Sequence, residues 1–269
     1  MSGGPTGIAL IGAAGRMGRA VARAAHDSPE VSITAAVDRP AADGFGRELG
    51  ELAGVDPLGV KVGGELLEAL RAADVAIDLS HPSALEGVLA AAVAAGRPLV
   101  CGTTGLDEGQ RAALERAAGE IPLLYAANLS PGIAVMTALL RRAVAALGPG
   151  YDLEIVEMHH RRKLDAPSGT ALQLAGAARQ AAKERSATIV HGRSGPAGER
   201  PAAEIGVHAL RGGGVVGEHT AILAGEHERI EISHRAGSRE LFATGALRAA
   251  LFLAGAGPGF YSMNDALGL

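Results

Sequence analysis

Short apolar runs alternate with helix-like stretches through the first half of the chain. The runs lie at residues 8–12, 31–38, 74–80, 98–102 and 122–128. Residues 16–26 and 83–96, which fall between them, are rich in alanine, and the second stretch closes on a glycine, as helices often do. Strands separated by helices are typical of a parallel sheet built from βαβ units. The pattern predicts an α/β domain with an open parallel sheet.

The pattern changes after residue 147, where strand-like segments dominate. These segments lie at residues 151–160, 186–192, 204–210, 215–225 and 228–236. One long helical stretch, about 169–185, interrupts them, and a last helix is predicted at about 239–254. We therefore expect a second, α+β domain with an open mixed sheet over residues 131–239. The first domain is expected to comprise residues 1–130 joined by the C-terminal segment 240–269.

Composition and charge narrow the classes of function. The chain has 269 residues, of which 48% are hydrophobic but only 3% aromatic, so its cores must pack with Ala, Val, Leu and Ile. Its formal net charge of -4 argues against nucleic-acid and membrane-surface partners. The single cysteine, Cys101, excludes an internal disulfide and a Cys-rich zinc site. The start, MSGGPTGIALIG, lacks signal-peptide features, and no apolar stretch approaches the roughly 18 residues of a membrane span. We expect a soluble cytoplasmic protein.

A glycine-rich loop, GAAGRMG, follows the first predicted strand directly and precedes a predicted helix. Gly12, Gly15 and Gly18 recur at three-residue spacing, although Ala14 and Met17 occupy the second and third positions of the G-x-G-x-x-G pattern. In this context backbone N–H groups at a helix start bind a dinucleotide pyrophosphate. The alternative is a tight strand-to-helix turn without a ligand. The loop favours a Rossmann-type, dinucleotide-binding first domain.

Asp38 and Arg39 end the second predicted strand. A carboxylate at this position accepts hydrogen bonds from the adenine ribose of NAD, which favours the binding function of the glycine loop. A neighbouring guanidinium can pair with the 2′-phosphate of NADP, unless Arg39 is simply a solvated charge. The pair predicts tolerance of both NADH and NADPH.

Two further loops, CGTTG at 101–105 and AANLSPG at 126–132, each follow a predicted parallel strand. Ligands in open α/β sheets lie beyond the carboxyl ends of the strands, so these loops are expected at the nicotinamide end. Thr103, Thr104 and Asn128 can supply hydrogen bonds there, although each is also an ordinary turn or capping residue.

The stretch EMHHRRKLDAPSGTAL, residues 157–172, concentrates positive charge in an acidic chain. His159 and His160 would point to opposite sides unless the strand ends between them. The N–H groups of the predicted helix start after Pro167 bind anions, as the adjacent cations do. A histidine there can exchange a proton at neutral pH, as can a lysine. The alternative is a strand end, a solvated turn and a Ser168 that merely caps the helix.

The chain resembles the dihydrodipicolinate reductases over essentially its whole length. The resemblance rests on the motif E-x-H-H-x-x-K-x-D-x-P-S-G-T-A at 157–171, together with GAAGRMG, CGTTG and AANLSPG. It implies reduction of the dehydrated form of 4-hydroxy-tetrahydrodipicolinate to tetrahydrodipicolinate, with NADH or NADPH, in diaminopimelate and lysine biosynthesis. It also implies a homotetramer assembled through a second domain that binds the small dicarboxylate substrate. No metal site is expected, because His159 and His160 are adjacent and no carboxylate–histidine spacing recurs.

The resemblance assigns roles to individual residues. For the cofactor these are Gly12, Ala13, Ala14, Gly15, Arg16 and Met17 at the pyrophosphate, Asp38 at the ribose, Arg39 at the NADPH phosphate, and Gly102, Thr103, Thr104, Ala126, Ala127, Asn128 and Leu129 at the nicotinamide. For catalysis and substrate they are His159 as acid/base, Lys163 as proton donor, and His160, Ser168, Gly169 and Thr170 as substrate ligands. Leu129 stands where family members often have Phe, which leaves its packing role open.

Two other functions fit parts of the pattern. A sugar or semialdehyde dehydrogenase of the same architecture would not respond to the dihydrodipicolinate precursor. A non-catalytic NADPH sensor would keep the glycine loop and Arg39 but has no need of His159 and Lys163 together.

Overall fold

The computed structural model describes residues 4–182 and 187–269. The chain forms two compact units, the first from residues 1–131 and 240–269 and the second from 132–239. The predicted helix and strand that reach into residues 183–186 lie partly outside the described residues.

The first unit begins with alternating strands and helices. In chain order these are β1 Thr6–Ile11, α1 Arg16–His26, β2 Val31–Val37, α2 Leu49–Ala53, β3 Val62–Gly63, α3 Leu66–Arg71, β4 Val75–Asp78, α4 Leu85–Ala95, β5 Leu99–Cys101, α5 Glu108–Ala117 and β6 Pro122–Tyr125. The five predicted strands are all present, and α1 has the predicted bounds.

The remaining elements form the second unit and then complete the first. They are α6 Pro131–Leu147, β7 Asp152–His159, α7 Gly169–Ala181, β8 Thr188–Val190, β9 Glu204–Arg211, β10 Glu218–Ala224 and β11 Arg229–Arg235, followed by α8 Glu240–Ala254, β12 Gly259–Tyr261 and α9 Met263–Leu267. Helix α8 packs on α1 and on the strands β1, β4, β5 and β6, so the C-terminal segment belongs to the first unit.

The sheet of the first unit has seven parallel strands in the order β12-β6-β5-β4-β1-β2-β3. This contains the doubly wound order 3-2-1-4-5-6, which confirms the predicted Rossmann-type domain. Successive strands are added to one side of β1 up to β3 and to its other side from β4 onward, so the strand order reverses between β1 and β4, where such folds bind their ligands. The core strands β1, β4, β5 and β6 are buried almost throughout, as expected of a parallel sheet covered on both faces.

The sheet of the second unit has five strands in the order β11-β10-β7-β9-β8. Strand β7 pairs antiparallel with β10 and parallel with β9, so the sheet is mixed, which confirms the predicted class. Alternate residues of β7 face a core that includes Leu153 and Ile155. Helices α6 and α7 supply Leu140 and Leu174 to the same core.

Helix α6 and the turn after it, Pro131–Gly150, are long and apolar enough to cross a membrane by length and composition, with a mean hydropathy of 1.3. We did not expect a stretch of this length from the sequence. The match is weak evidence, because core helices of folded proteins pass the same test. Ile133, Met136 and Leu140 of this helix pack in the core of the second unit.

Candidate active site

The central strands of the first unit end at one level. Ile11 of β1 lies beside Val37 and Asp78, and Asp78 lies beside Cys101, which in turn lies beside Tyr125. The loops after these strands therefore begin at the same edge of the sheet. The sequence-predicted cofactor residues follow at this edge, after β1, β2, β5 and β6.

The glycine loop is tightly folded at this edge. Gly12 has φ +76°, and a Cβ there would lie 2.6 Å from the carbonyl oxygen of Leu79. A Cβ on Gly18 would lie 2.4 Å from the carbonyl oxygen of Gly12. Neither position accommodates a side chain, so the glycines let helix α1 begin directly against the ends of β1 and β4.

The start of helix α1 suits an anionic group. Its N-cap residue, Gly15, offers no side-chain cap, and no acidic residue lies in its first turn. Within the loop, Ala13 and Ala14 are buried, whereas Gly15 and Arg16 are exposed and Met17 is half-buried. Uncapped N–H groups at the positive end of the helix dipole bind phosphate. The residues present thus fit a dinucleotide pyrophosphate.

Asp38 is held against the glycine loop. Its Oδ2 accepts a hydrogen bond from the Ala14 N–H at 3.0 Å, and its Oδ1 accepts one from the Arg39 N–H at 2.8 Å. The side chain of Arg39 is exposed beside it. The structure therefore brings the predicted ribose and phosphate residues next to the predicted pyrophosphate loop.

The loop after β5 is anchored by a buried carboxylate. Thr103 is 2% exposed, and its hydroxyl donates to Asp78, which is 0% exposed, at 2.9 Å. The Thr103 hydroxyl is therefore engaged within the protein, whereas Thr104 is exposed. Burial, and then the charge of Asp78, raises the pKa of the Cys101 thiol to about 12, so this thiol stays protonated.

The loop after β6 packs against the loop after β5. A Cβ on Gly102 would lie 2.8 Å from Cδ1 of Leu129, which is buried. Leu129 thus fills the space beside Gly102. Asn128 Oδ1 accepts a hydrogen bond from the Ser130 N–H at 2.9 Å, while Ala126 is half-buried and Ala127 exposed.

The second unit places the sequence motif of residues 157–171 around the end of β7. The strand ends at His159, and His160 lies outside it, so strict alternation no longer separates the two histidines. Nδ1 of His159 lies 2.6 Å from Oε2 of Glu157, which is 0% exposed. The same carboxylate accepts two hydrogen bonds from the guanidinium of Arg211, both at 2.8 Å, and one from the Ser168 N–H at 3.0 Å.

Glu157 is ionised in this environment. Burial by itself would raise the pKa of this carboxyl group, but hydrogen bonds from Arg211, His159 and Ser168 outweigh burial and hold the pKa below its usual value. His219 stands across from Glu157 on β10, with its ring edge-on to His159 at 5.3 Å. Burial, and then the nearby His159, lowers the pKa of His219 to about 4, so His219 is neutral at physiological pH.

Ser168 caps helix α7. Its hydroxyl accepts a hydrogen bond from the Ala171 N–H at 3.1 Å and lies 3.0 Å from Nε2 of His219. The side chain is 2% exposed and occupied by these contacts. Gly169 and Thr170 form the first turn of α7, at the positive end of the helix dipole.

The loop between β7 and α7 carries the predicted cations. Lys163 Nζ pairs with Oδ1 of Asp165 at 2.9 Å, and this hydrogen bond lowers the pKa of Asp165. Desolvation, followed by the cationic neighbours Arg162 and Arg239, lowers the pKa of His160. The loop thus places an ammonium group and a weakly basic imidazole near the end of β7, and the guanidinium groups of Arg162 and Arg239 act on that imidazole.

Sequence reasoning missed several residues of this cluster. Arg211 and His219 lie on β9 and β10, and only the strand pairing, His159 beside Arg211 and His219 beside Glu157, brings them to the motif. Gly217 was also missed, because only the structure shows that a Cβ there would lie 3.0 Å from Nε2 of His159. Glu157 was part of the recognised motif, but its spacing two residues before His159 on one strand face was the unused signal.

The described residues contain no group of three or more His, Cys, Asp or Glu side chains that could hold a metal ion. The parallel sheet with its glycine loop fits a nicotinamide dinucleotide, and the histidine and lysine of the second unit fit proton transfer; both are features of a nicotinamide-dependent oxidoreductase.

Comparison with known proteins identifies the family. Family models for the dihydrodipicolinate reductase N-terminus and C-terminus match residues 6–129 and 132–267. The chain belongs to the dihydrodipicolinate reductase family. It is 51% identical over 265 residues to the 4-hydroxy-tetrahydrodipicolinate reductase of Alkalilimnicola ehrlichii, covering 98% of this chain and 99% of the relative. It is 47% identical to the reductase of the same name from Halorhodospira halophila, covering 98% and 99%.

A solved structure shares the fold. The dipicolinate-bound dihydrodipicolinate reductase of Paenisporosarcina sp. TG-14 superposes with a TM-score of 0.77 at 22% identity, covering 97% of this chain and 98% of that chain. Family membership confirms the resemblance stated from the sequence and favours a reductase over both the other dehydrogenases and the non-catalytic sensor.

Proposed function

We propose that this chain catalyses the reduction of the dehydrated form of 4-hydroxy-tetrahydrodipicolinate to tetrahydrodipicolinate, using NADH or NADPH. The observation that carries the proposal is the His159 imidazole, bonded through Nδ1 to a buried carboxylate, close to the Lys163 loop and the start of α7. Relatives at 51% and 47% identity carry the name of this reductase, which supports the same substrate here.

The second unit offers the chemistry that a dicarboxylate needs. Lys163 and His160 supply positive or hydrogen-bonding groups, and Gly169 and Thr170 lie at the positive end of helix α7. We assign substrate contact to the backbone of this helix start. The Ser168 side chain instead supports that backbone, since its hydroxyl caps α7 and faces His219.

The reaction adds one hydride and one proton to a conjugated ring. When bound, the nicotinamide supplies the hydride, to ring C4 of the substrate. His159 acts as the acid/base, with Lys163 as a second source of protons beside it. The hydroxylated precursor first loses its hydroxyl as water. The dehydrated ring plus one hydride and one proton then gives the product, so atoms and charge balance.

Residues of the first unit are proposed to hold the cofactor. The loop from Gly12 to Met17 would bind the pyrophosphate and Asp38 the adenine ribose. Arg39 would pair with the 2′-phosphate of NADPH without preventing NADH binding. The loops at 102–104 and 126–129 would line the nicotinamide.

We also propose a homotetramer assembled through the second unit. The face of its sheet away from the helices carries the apolar side chains of Val156, Met158, Leu210 and Ile222, and Leu210 is 50% exposed. Sedimentation of the purified protein tests this, and a monomer at micromolar concentration would contradict it.

Steady-state oxidation of NADH and NADPH at 340 nm tests the function. The substrate is generated in situ from pyruvate and aspartate semialdehyde by a coupled synthase. We expect rapid oxidation that depends on the synthase, and the ratio of the two kcat/KM values gives the cofactor preference. Absence of oxidation with either cofactor, in a protein that binds both, would contradict the proposal.

A further inference from the structure

The Glu157 carboxylate uses both of its oxygens within the protein. Oε2 lies 2.6 Å from Nδ1 of His159 and accepts from Arg211 Nη1 at 2.8 Å. Oε1 accepts from Arg211 Nη2 at 2.8 Å and from the Ser168 N–H at 3.0 Å. The side chain is 0% exposed, so it has no access to a ligand. Glu157 can therefore influence the active site only through one of these hydrogen-bond partners.

We propose that Glu157, clamped by Arg211, is the positioning residue of His159 and fixes which nitrogen of that imidazole exchanges the proton. An ionised carboxylate only accepts hydrogen bonds, so Nδ1 of His159 must carry the hydrogen. In the neutral ring Nε2 then keeps its lone pair, and after protonation Nε2–H is the acid. The inference rests on the acid/base role proposed above for His159.

Arg211 makes this positioning rigid. Its planar guanidinium grips both Glu157 oxygens in a bidentate pair, which fixes the plane of the carboxylate and hence the direction of its bond to His159. The same guanidinium donates to the Asp165 carbonyl oxygen at 2.7 Å. Arg211 thus ties the strand end that carries His159 to the loop that carries Lys163.

Gly217 completes the arrangement on the other side of the ring. It is buried, and its missing side chain leaves room beside Nε2, where a Cβ would lie 3.0 Å away. Glu157 therefore bonds to Nδ1 of His159, while Gly217 leaves space beside Nε2. A histidine whose role was only to support the core would need neither the ionised partner nor the clearance.

Several charged and titratable groups lie around this imidazole and its partners. They come from its own strand, the following loop and strands β9 and β10: Glu157, His160, Lys163, Asp165, Arg211 and His219. Glu157 and Asp165 are the carboxylates among them, and Asp165 pairs with Lys163 rather than with the ring of His159. The substitution Glu157→Gln therefore removes the carboxylate that bonds to His159 and leaves the other groups in place.

The test is the pH profile of Glu157→Gln in the synthase-coupled assay. We expect kcat to fall about 10- to 100-fold with a small change in KM, since acid/base catalysis contributes about 10²- to 10⁴-fold. The limb of the pH profile that depends on protonated His159 should move to lower pH, because an adjacent opposite charge favours the protonated form. An unchanged rate and profile would overturn the proposal.

Glu154→Gln is the matched control. Glu154 lies on the opposite face of the same strand and also has arginine and histidine partners, with Arg200 Nε at 2.9 Å and His208 Nε2 at 2.6 Å. It makes no contact with His159. We expect its pH profile to match that of the wild type, and an equal shift would show that any carboxylate on β7 has this effect, which would overturn the proposal.

A double-mutant cycle separates positioning from a merely structural role. In a His159→Gln background, Glu157→Gln should cost little further activity, because the group through which it acts is gone. A full additional loss would show that Glu157 acts on the fold and would overturn the proposal. If Glu157→Gln does not fold, Glu157→Asp keeps the charge but shortens its reach, and should lower kcat without moving the pH limb.

Nitrogen-15 NMR of labelled imidazoles reads the tautomer without any turnover. The chain has 9 histidines, and the His159 signals are assigned by their loss in His159→Gln. We expect the Nδ1–H tautomer in the wild type and its loss in Glu157→Gln. A wild type with the Nε2–H tautomer would overturn this inference, whereas a wild type without reductase activity would overturn the proposed function.

Discussion

Gly217→Ala should disturb His159 by a distance that the structure defines. The added methyl group would lie 3.0 Å from Nε2 and 3.3 Å from Cδ2 of the ring, closer than the ordinary contact distances of 3.4–4 Å, so the ring or the backbone must move by a few tenths of an ångström. The ring cannot retreat freely, since Glu157 holds Nδ1 at 2.6 Å. A misplacement of about 1 Å can cost about 100-fold in rate. For this smaller shift we expect kcat to fall about 10-fold, equivalent to about 1.4 kcal/mol.

The assay is synthase-coupled oxidation of NADPH, with KM and NADPH affinity measured in parallel. Gly214→Ala is the control, because it lies three residues away, has no atom within 4 Å of the position of its Cβ and needs no left-handed backbone. It should retain wild-type kcat. Thermal unfolding of both variants accounts for overpacking, which costs about 1–3 kcal/mol in a tight site. Wild-type kcat in a folded Gly217→Ala would refute the claim that Nε2 needs this clearance.

Four other substitutions or conditions test the remaining roles. Lys163→Ala should lower kcat about 100-fold or more with NADPH binding intact by fluorescence titration, and unchanged turnover would remove its proton-donor role. Arg39→Ala should weaken NADPH binding far more than NADH binding, and an equal loss would show that it does not contact the phosphate. Ser168→Ala removes the cap of α7 and should lower the free energy of unfolding in urea by about 1 kcal/mol, whereas an unchanged value would show that the cap is dispensable. The ionised form of Glu157 stabilises the fold above its unfolded-state pKa of about 4.3, and this contribution is lost as pH falls through its lower folded-state pKa. The free energy of unfolding in urea, measured below about pH 4, should therefore fall more steeply with pH for the wild type than for Glu157→Gln.

Strong local periodicity explains which elements the sequence predicted. Helix α1 was bounded correctly because the glycine loop before it and its alternation of arginine and alanine mark both its start and its buried face. Residues 39–73 gave no comparable signal, since α2 and α3 have five and six residues and β3 only two. Helix α5 was also missed, although the capping box of Asp107 and Gln110 was a readable start signal.

The candidate site also contains residues that local sequence patterns reveal and residues that only strand pairing brings together. The glycine loop, Asp38 and the motif around His159 are local in sequence and could be recognised there. Arg211 lies 54 residues from Glu157, and only the parallel pairing of β7 and β9 makes them neighbours. Register of this kind follows from packing of whole sheet faces, which no single segment encodes.

The return of residues 240–269 to the first unit constrains how the chain can fold during synthesis. Helix α8 buries Ala246, Ala250 and Leu253, and Gly245 lets it approach the backbone of Leu129, where a Cβ would clash. Strand β12 pairs with β6 and completes the edge of the parallel sheet. The ribosome delivers the N-terminal strands first, yet their core stays uncovered and the β6 edge unpaired until residues 240–269 emerge. The first unit is therefore completed only after the second has been synthesised, and a nascent chain stopped before residue 240 would expose a sheet edge and apolar surface that chaperones recognise.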